Sequence, residues 1–402
     1  MIHIRISVLI LCLFLATGLG AQELGNVKFG EGLLNFTARD SSFSVEFAPR
    51  FQFRSLTTWN HNGEEYMDPE QNFLIRRARL KFDGFALTPK LVYKIELGLS
   101  NNDISGANQF TSNSPRYILD AVLKWHFHKN FELWAGQAKL PGNVERVISS
   151  ASLQLIDRSI LNSAFNLDRD IGLQLHHRFK LGEKFVIKEK LAFSQGEGRN
   201  ITSGSQGGME YTGRLEFLPF GEFLEKGDYF QADLEREPSP KLMLGAVYDM
   251  NNDAVRTRSN LGSFMLLEDG TLYKTDIQTF FLDAVFKYRG ISVMAEYAYR
   301  DAEDPIARIQ GENQTAEYRV LEGQGINFQT AYLFKSNYEI AARYSRNDYT
   351  DIIEVDDVEQ YTLGGSKYIV GHKLKVQADI NYSKKAGIED FISFRTGFEF
   401  HF

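Results

Sequence analysis

The 402-residue chain has a single cysteine, Cys12, and it sits inside an apolar stretch at the amino terminus. Disulfide and thiol chemistry are therefore excluded once that stretch is removed. No other long apolar run follows, and the mean hydropathy is -0.29. A bundle of membrane helices is excluded too, because each span needs about 20 mostly apolar residues. Positive charge is also short: 45 Lys and Arg face 52 Asp and Glu, for a formal charge of -7. That balance argues against a nucleic-acid partner, which selects a basic surface. The sequence contains no G-x-S-x-G, no phosphate loop, no H-E-x-x-H and no dinucleotide fingerprint, so neither an enzyme nor a cofactor is expected.

What is present begins with a targeting segment. His3 and Arg5 precede an apolar core from Ile6 to Ala16, and Thr17-Gly18-Leu19-Gly20-Ala21 supplies a small-residue tail. This pattern predicts a secretory signal peptide over residues 1–21, cleaved after Gly20 or after Ala21. Residues 22–40 are expected as a periplasmic extension, and 41–402 as the folded unit.

From about residue 40 the dominant period is two. Phe43, Val45, Phe47, Phe51 and Phe53 alternate with Ser44, Glu46, Arg50, Gln52 and Arg54. Such alternation makes a strand with one apolar and one polar face. Its length exceeds that of most soluble strands and suits a tilted membrane crossing of about 9–11 residues. Sixteen such segments can be counted, the first at about 43–59 and the last at 390–402. Short connections such as Thr88-Pro89, Lys129-Asn130 and Arg289-Gly290 alternate with long ones at about 60–72, 100–116, 138–168, 196–208, 251–277, 301–323, 347–359 and 384–389. Short periplasmic turns and longer extracellular loops of this kind belong to an all-β, 16-stranded antiparallel transmembrane barrel in the cell outer membrane. One long connection, 219–240, falls on the short-turn side and has no assignable role. The chain ends Phe398-Glu399-Phe400-His401-Phe402, an alternating aromatic strand whose terminal Phe402 resembles the signal read by the outer-membrane insertion machinery.

Sixteen strands enclose a lumen wide enough for water. Predicted lumen residues on the first two strands include Arg50, Arg54, Arg77, Arg79 and Lys81, opposed by carboxylates such as Glu46, Asp83 and Glu96. Fixed charge in a narrow channel concentrates ions of the opposite sign, although the same side chains could simply brace the wall in cross-strand pairs. The connection 138–168 carries Lys139, Arg146 and Arg158, with Arg169 just beyond. It also holds Val147, Ile148, Leu153, Leu155, Ile156, Ile160 and Leu161, too apolar for a freely solvated loop. It is expected to fold inward as a third-loop constriction; an extracellular lid is the alternative. His126 and His128 share a strand face beside a turn, but polar groups at a turn explain them better than a metal site. An acidic outer loop around Asp348–Glu359 could meet lipopolysaccharide through cations, though a solvated loop suffices.

Several motifs, in order along the chain, resemble the phosphate-selective porin O and P family. They are Lys28-Phe29-Gly30-Glu31-Gly32-Leu33, Phe73-Leu74-Ile75-Arg76-Arg77-Ala78-Arg79-Leu80, Asp157-Arg158-Ser159-Ile160-Leu161-Asn162, Asp168-Arg169-Asp170-Ile171-Gly172, Leu234-Glu235-Arg236-Glu237 and Tyr361-Thr362-Leu363-Gly364. The resemblance implies a homotrimer of 16-stranded barrels with an inward third loop and a cationic path for phosphate or related anions. It transfers Arg77 and Arg79 to the wall, and Arg158 and Arg169 to the constriction. The expectation is a porin for small hydrophilic solutes with a mild anion preference. The competing expectation is a plugged structural or adhesin-type barrel.

Overall fold

Side chains at alternate positions of a strand leave on opposite sides. Once strands pair edge to edge, an apolar–polar alternation becomes a lipid face and a water face. In the computed structural model, which describes residues 28–307, 318–385 and 388–402, such pairing runs through sixteen antiparallel wall strands. The first half comprises β1 (Arg50–Asn60), β2 (Glu70–Ala86), β3 (Thr88–Gly98), β4 (Ile118–His128), β5 (Phe131–Lys139), β6 (Arg169–Leu181), β7 (Phe185–Ser194) and β8 (Glu210–Leu218). The second comprises β9 (Lys241–Ala254), β10 (Thr275–Tyr288), β11 (Ile291–Ala302), β12 (Gly323–Leu333), β13 (Tyr338–Tyr349), β14 (Val358–Val370), β15 (Leu374–Lys385) and β16 (Ile388–His401). Each strand pairs with its chain neighbours, and β16 returns to β1 with Phe391 opposite Asn60 and His401 opposite Arg50. The sheet is thus a closed 16-stranded barrel. Outside the seam Phe53 stacks on Phe398 at 5.5 Å, and Phe51 on Phe400 at 5.4 Å. The signal peptide expected at 1–21, its cleavage site and residues 22–27 lie outside the described residues.

The turns follow the residues that build them. Arg289 and Gly290 both have positive φ, 48° and 90°, which is the geometry of a two-residue hairpin turn matched to strand twist. Two expectations need correction. The predicted strand 43–59 is two strands: Ser44–Phe47 pairs with Leu34–Thr37 and sideways with β2, whereas β1 starts at Arg50. Pro49 stands at the break; it has no N–H for the ladder and a fixed φ. Within the stretch 22–40, Leu34–Thr37 is a short strand paired with Ser44–Phe47. Finally, the connection expected at 384–389 is barely a loop, because β15 reaches Lys385 and β16 begins at Ile388.

The third long connection, 140–168, enters the barrel. Its Ile156 amide donates to Asp379 on β15 at 3.0 Å, and Gln154 donates to Ser292 on β11 and Glu339 on β13 at 2.7 and 2.8 Å. A short helix, Ile160–Phe165, lies against β12, where a Cβ at Gly325 would come within 3.0 Å of Phe165. The connection 219–240 enters from the opposite end. Its Gln231 amide donates to the Ser152 carbonyl at 3.2 Å, and the Gln231 side chain accepts from the Gln154 amide at 2.7 Å. Lys287 on β10 donates to the Ala232 carbonyl at 2.7 Å. Two segments therefore meet inside the barrel.

Charged side chains beneath them are satisfied individually. Arg214 on β8 is fully buried and makes a forked pair with Asp283 on β10 at 2.7 and 2.9 Å, a pair with Glu216 at 2.7 Å and a bond to the Gly142 carbonyl at 3.0 Å. Removing one partner of such a pair leaves an uncompensated buried charge. Asp283→Ala is expected to destabilise the folded barrel by about 3 kcal/mol, read from the urea midpoint in lipid vesicles. A loss below about 1 kcal/mol would mean that Glu216 and the carbonyl suffice for Arg214.

Candidate permeation path

The sequence-predicted residues all lie in the wall or the inward loop, and most have partners. Arg50 meets Glu399 at 3.1 Å and Ser150 at 2.8 Å. Arg79 meets Glu96 at 3.0 Å and Asp103 at 2.9 Å. Lys81 pairs with Asp83, two residues along the same strand. Arg54 binds Asp157, and Arg77 binds Gln52 while its guanidinium stays 3.9 Å from Asp157.

At the loop, Lys139 and Arg169 are the last residue of β5 and the first of β6, opposite each other in register. Lys139 was expected within the loop; the β5 ladder carries it into the wall. Its ammonium holds the carbonyls of Arg146, Val147 and Ile148 at 2.8, 3.2 and 3.2 Å, at the end of the short helix Val144–Val147. A cation there meets carbonyls that have no helical partner. Arg158 does the same for Glu145 and Ile148, at 2.9 and 2.8 Å. Arg146 is paired with Asp168, and Arg169 with Asp120 at 2.6 Å. These residues brace the inward loop against the wall.

Three further groups stand outside the positions named from the sequence, although Arg343 and Arg395 keep the alternation of their strands. The β1–β2 ladder slips, with Gln52 opposite Arg77 but Phe53 opposite Ile75, so Arg76 is the extra residue of a bulge. A bulge re-aims its side chain, and Arg76 reaches Asp157 at 3.0 Å although strict alternation would turn it to lipid. Arg343 on β13 and Arg395 on β16 also reach the inward loop: Arg343 donates to the Asp157 carbonyl at 2.9 Å, and Arg395 lies 3.6 Å from the Asp157 carboxylate.

The third group lines the extracellular mouth. Arg116, Arg256, Arg258 and Arg319, with Tyr318 and Leu321, surround a cavity of ≈ 550 Å³. Arg319 is paired with Glu354 at 2.8 Å. The others bond to backbone carbonyls: Arg116 to Ser105 at 2.7 Å, Arg256 to Glu197 at 2.7 Å and Arg258 to Ser163. Nearby, Arg199 donates to the Arg116 and Asp103 carbonyls at 3.1 and 2.5 Å. A carbonyl satisfies an N–H but does not cancel the charge. Burial, and then the charges of Arg116 and Arg258, push the Arg256 guanidinium down to about 9. Arg256 stays protonated at neutral pH.

At the periplasmic half the exposed charges lie along one wall. Side chains of Lys81, Lys94 and Arg178 on β2, β3 and β6 keep 32, 23 and 48 % of their surface. Arg214 and Lys375 on β8 and β15, and Arg300 nearer the extracellular end of β11, are fully buried and donate to carbonyls of the inward loop, at Gly142, Leu153 and Ala164 respectively. His126 pairs with Glu132 at 3.2 Å while His128 lies against Phe131, and the ladder shifts register between Trp125 and His128. Among the described residues no group of three His, Cys, Asp or Glu side chains is placed to hold a metal ion.

A closed 16-stranded barrel with an inward third loop and a charged lumen defines the outer-membrane porin class, a class of channels rather than enzymes. The profile of the phosphate-selective porin O and P family matches residues 59–389, and the chain belongs to that family. It therefore resides in the outer membrane. Among solved structures, an anion-selective porin from Comamonas acidovorans is 11% identical over 90% of this chain and 100% of its own, with a TM-score of 0.55. The outer membrane channel DcaP of Acinetobacter baumannii gives 11%, 91%, 99% and 0.54. OmpF of Salmonella typhi, solved with daunomycin, gives 12%, 91%, 100% and 0.55. No curated protein sequence matches the chain. Likeness at this identity concerns the fold.

The contact of the 219–240 segment with the inward loop implies a specific response to its removal. Replacing 223–237 with a short Gly-Ser turn is expected to raise single-channel conductance about twofold, since lumen width sets ion flow. Unchanged conductance would mean that the inward loop alone limits the current.

Proposed function

We propose that this porin passes small hydrophilic solutes by passive diffusion with a mild preference for anions, phosphate-like oxyanions among them. The observation that carries this reading is the mouth, where Arg116, Arg199, Arg256 and Arg258 are fixed by carbonyls rather than neutralised by carboxylates. Like charges at a channel entrance concentrate counter-ions and repel co-ions. Behind the mouth, Arg146, Arg158, Lys139 and Arg169 continue the positive path to the wall residues Arg50, Arg54, Arg77, Arg79 and Lys81. Intervening carboxylates such as Glu96, Asp120 and Asp168 keep the preference mild. No bond is made or broken in transit.

A homotrimer belongs to the same reading. On the lipid side of β1 and β2, Gln71 bonds to Thr57 and to Ser55, the latter at 2.8 Å. Polar side chains are costly against hydrocarbon and are better accommodated against another copy. A second reading, the plugged structural or adhesin barrel, is favoured by the contact between Gln231 and the inward loop at Ser152 and Gln154.

The deciding measurement is the reversal potential of folded protein in a planar bilayer across a KCl gradient, repeated with phosphate. Anion-selective current reduced by millimolar phosphate is the expected result, with Arg256→Gln plus Arg258→Gln lowering the chloride-to-potassium permeability ratio about twofold. Cation selectivity would overturn the anion preference. Absence of current from folded protein would establish the plugged barrel.

A further inference from the structure

Four guanidiniums converge on one carboxylate of the inward loop. Arg54 on β1 binds Asp157 directly, Arg76 approaches at 3.0 Å, Arg395 at 3.6 Å and Arg77 at 3.9 Å. Arg395 also pairs with Asp379 at 2.6 Å, so four arginines share two carboxylates. Arg54 Nε, buried in this group, has no hydrogen-bond partner among the described residues. The arrangement is one that would take a small oxyanion: forked donors from three strands around two carboxylate oxygens. It borders water, since the side chains of Asp157 and Arg76 keep 14 and 23 % of their surface. Burial opposes ionisation of Asp157, but Arg76, Arg395, Arg54 and Arg77 outweigh it and hold the carboxyl well below the usual carboxylate range.

The loop does not depend on this carboxylate for its position. Arg343 grips the Asp157 carbonyl at 2.9 Å, Asp379 takes the Ile156 amide at 3.0 Å, and Arg158 holds two loop carbonyls. The Asp157 side chain is therefore free to serve electrostatics.

We infer that Asp157 is a built-in stand-in for a permeating anion: it occupies a four-arginine oxyanion site at the constriction and sets how strongly the pore selects and retains anions. The inference rests on the anion-path reading above. With the carboxylate in place, a passing phosphate, sulfate or carboxylate solute competes with a tethered ligand and leaves quickly. Without it, the same arginines form an open site that binds oxyanions and slows their passage. Arg76 is part of the device only because the β1–β2 bulge turns it inward.

The test compares wild type, Asp157→Asn and Asp157→Glu in planar bilayers. Asp157→Asn keeps the size and one acceptor oxygen, while the charge and the second acceptor give way to an amide N–H that cannot accept from a guanidinium. It should raise the chloride-to-potassium permeability ratio about threefold and lower the phosphate concentration for half-block about tenfold. KCl conductance should stay within a factor of about two, and Asp157→Glu should restore the wild-type ratio. An unchanged ratio and block in Asp157→Asn would overturn the inference. So would a rise in conductance to both ions without a change in ratio, the signature of a loop merely untethered. Cation-selective wild type would defeat the anion-path reading, but the shift between wild type and Asp157→Asn would still decide the role of Asp157.

Discussion

Everything in this protein depends on one constraint: in hydrocarbon a backbone N–H or C=O without a partner costs several kcal/mol. The pairing of β16 with β1 meets that constraint, from Phe391 opposite Asn60 to His401 opposite Arg50. Closure then forces every second side chain inward. An alternating sequence that is only half apolar becomes a lipid-compatible cylinder with a polar lumen. The N-terminal hairpin and Pro49 mark where the constraint stops, at the periplasmic rim. There a missing N–H is tolerated because the next residue starts a new ladder.

Closure solves the backbone problem and creates a side-chain one, since many charged groups are packed into a confined interior. The problem is resolved in two different ways. Arg214, Asp283 and Glu216 neutralise one another directly. Lys139, Arg158, Arg256 and Arg258 are held instead by carbonyls of loops and helix ends. The distinction matters for transport. A carboxylate partner cancels the field along the path, whereas a carbonyl fixes the cation and leaves its field for solutes to feel.

The strands were legible because their period is two and their length is set by the bilayer. The inward course of 140–168 was legible as well, because Leu153, Leu155, Ile156 and Leu161 need a wall to pack on, and all four are buried. Arg76 was not legible. A single bulged residue reverses the facing of one side chain, and its neighbours Ile75 and Arg77 give no local sign of it. The mouth arginines were hidden for another reason: Arg116, Arg199, Arg256 and Arg258 come from three separate loops, where no periodicity relates one position to the next. The segment 219–240 carries turn residues and charges that suit an external loop equally well. Its burial follows from contacts with Ser152 and Gln154, distant in sequence.

By itself the sequence determined the alternation of lipid-facing and water-facing side chains along most strands and the number of crossings. These properties are local or additive: alternation, strand length and turn residues are read within a dozen positions. Only the tertiary structure decided which cations face one another, which are neutralised and which keep their field. Those outcomes depend on register slips and on loops meeting across the lumen, and a pairwise electrostatic energy exists only once distance is fixed.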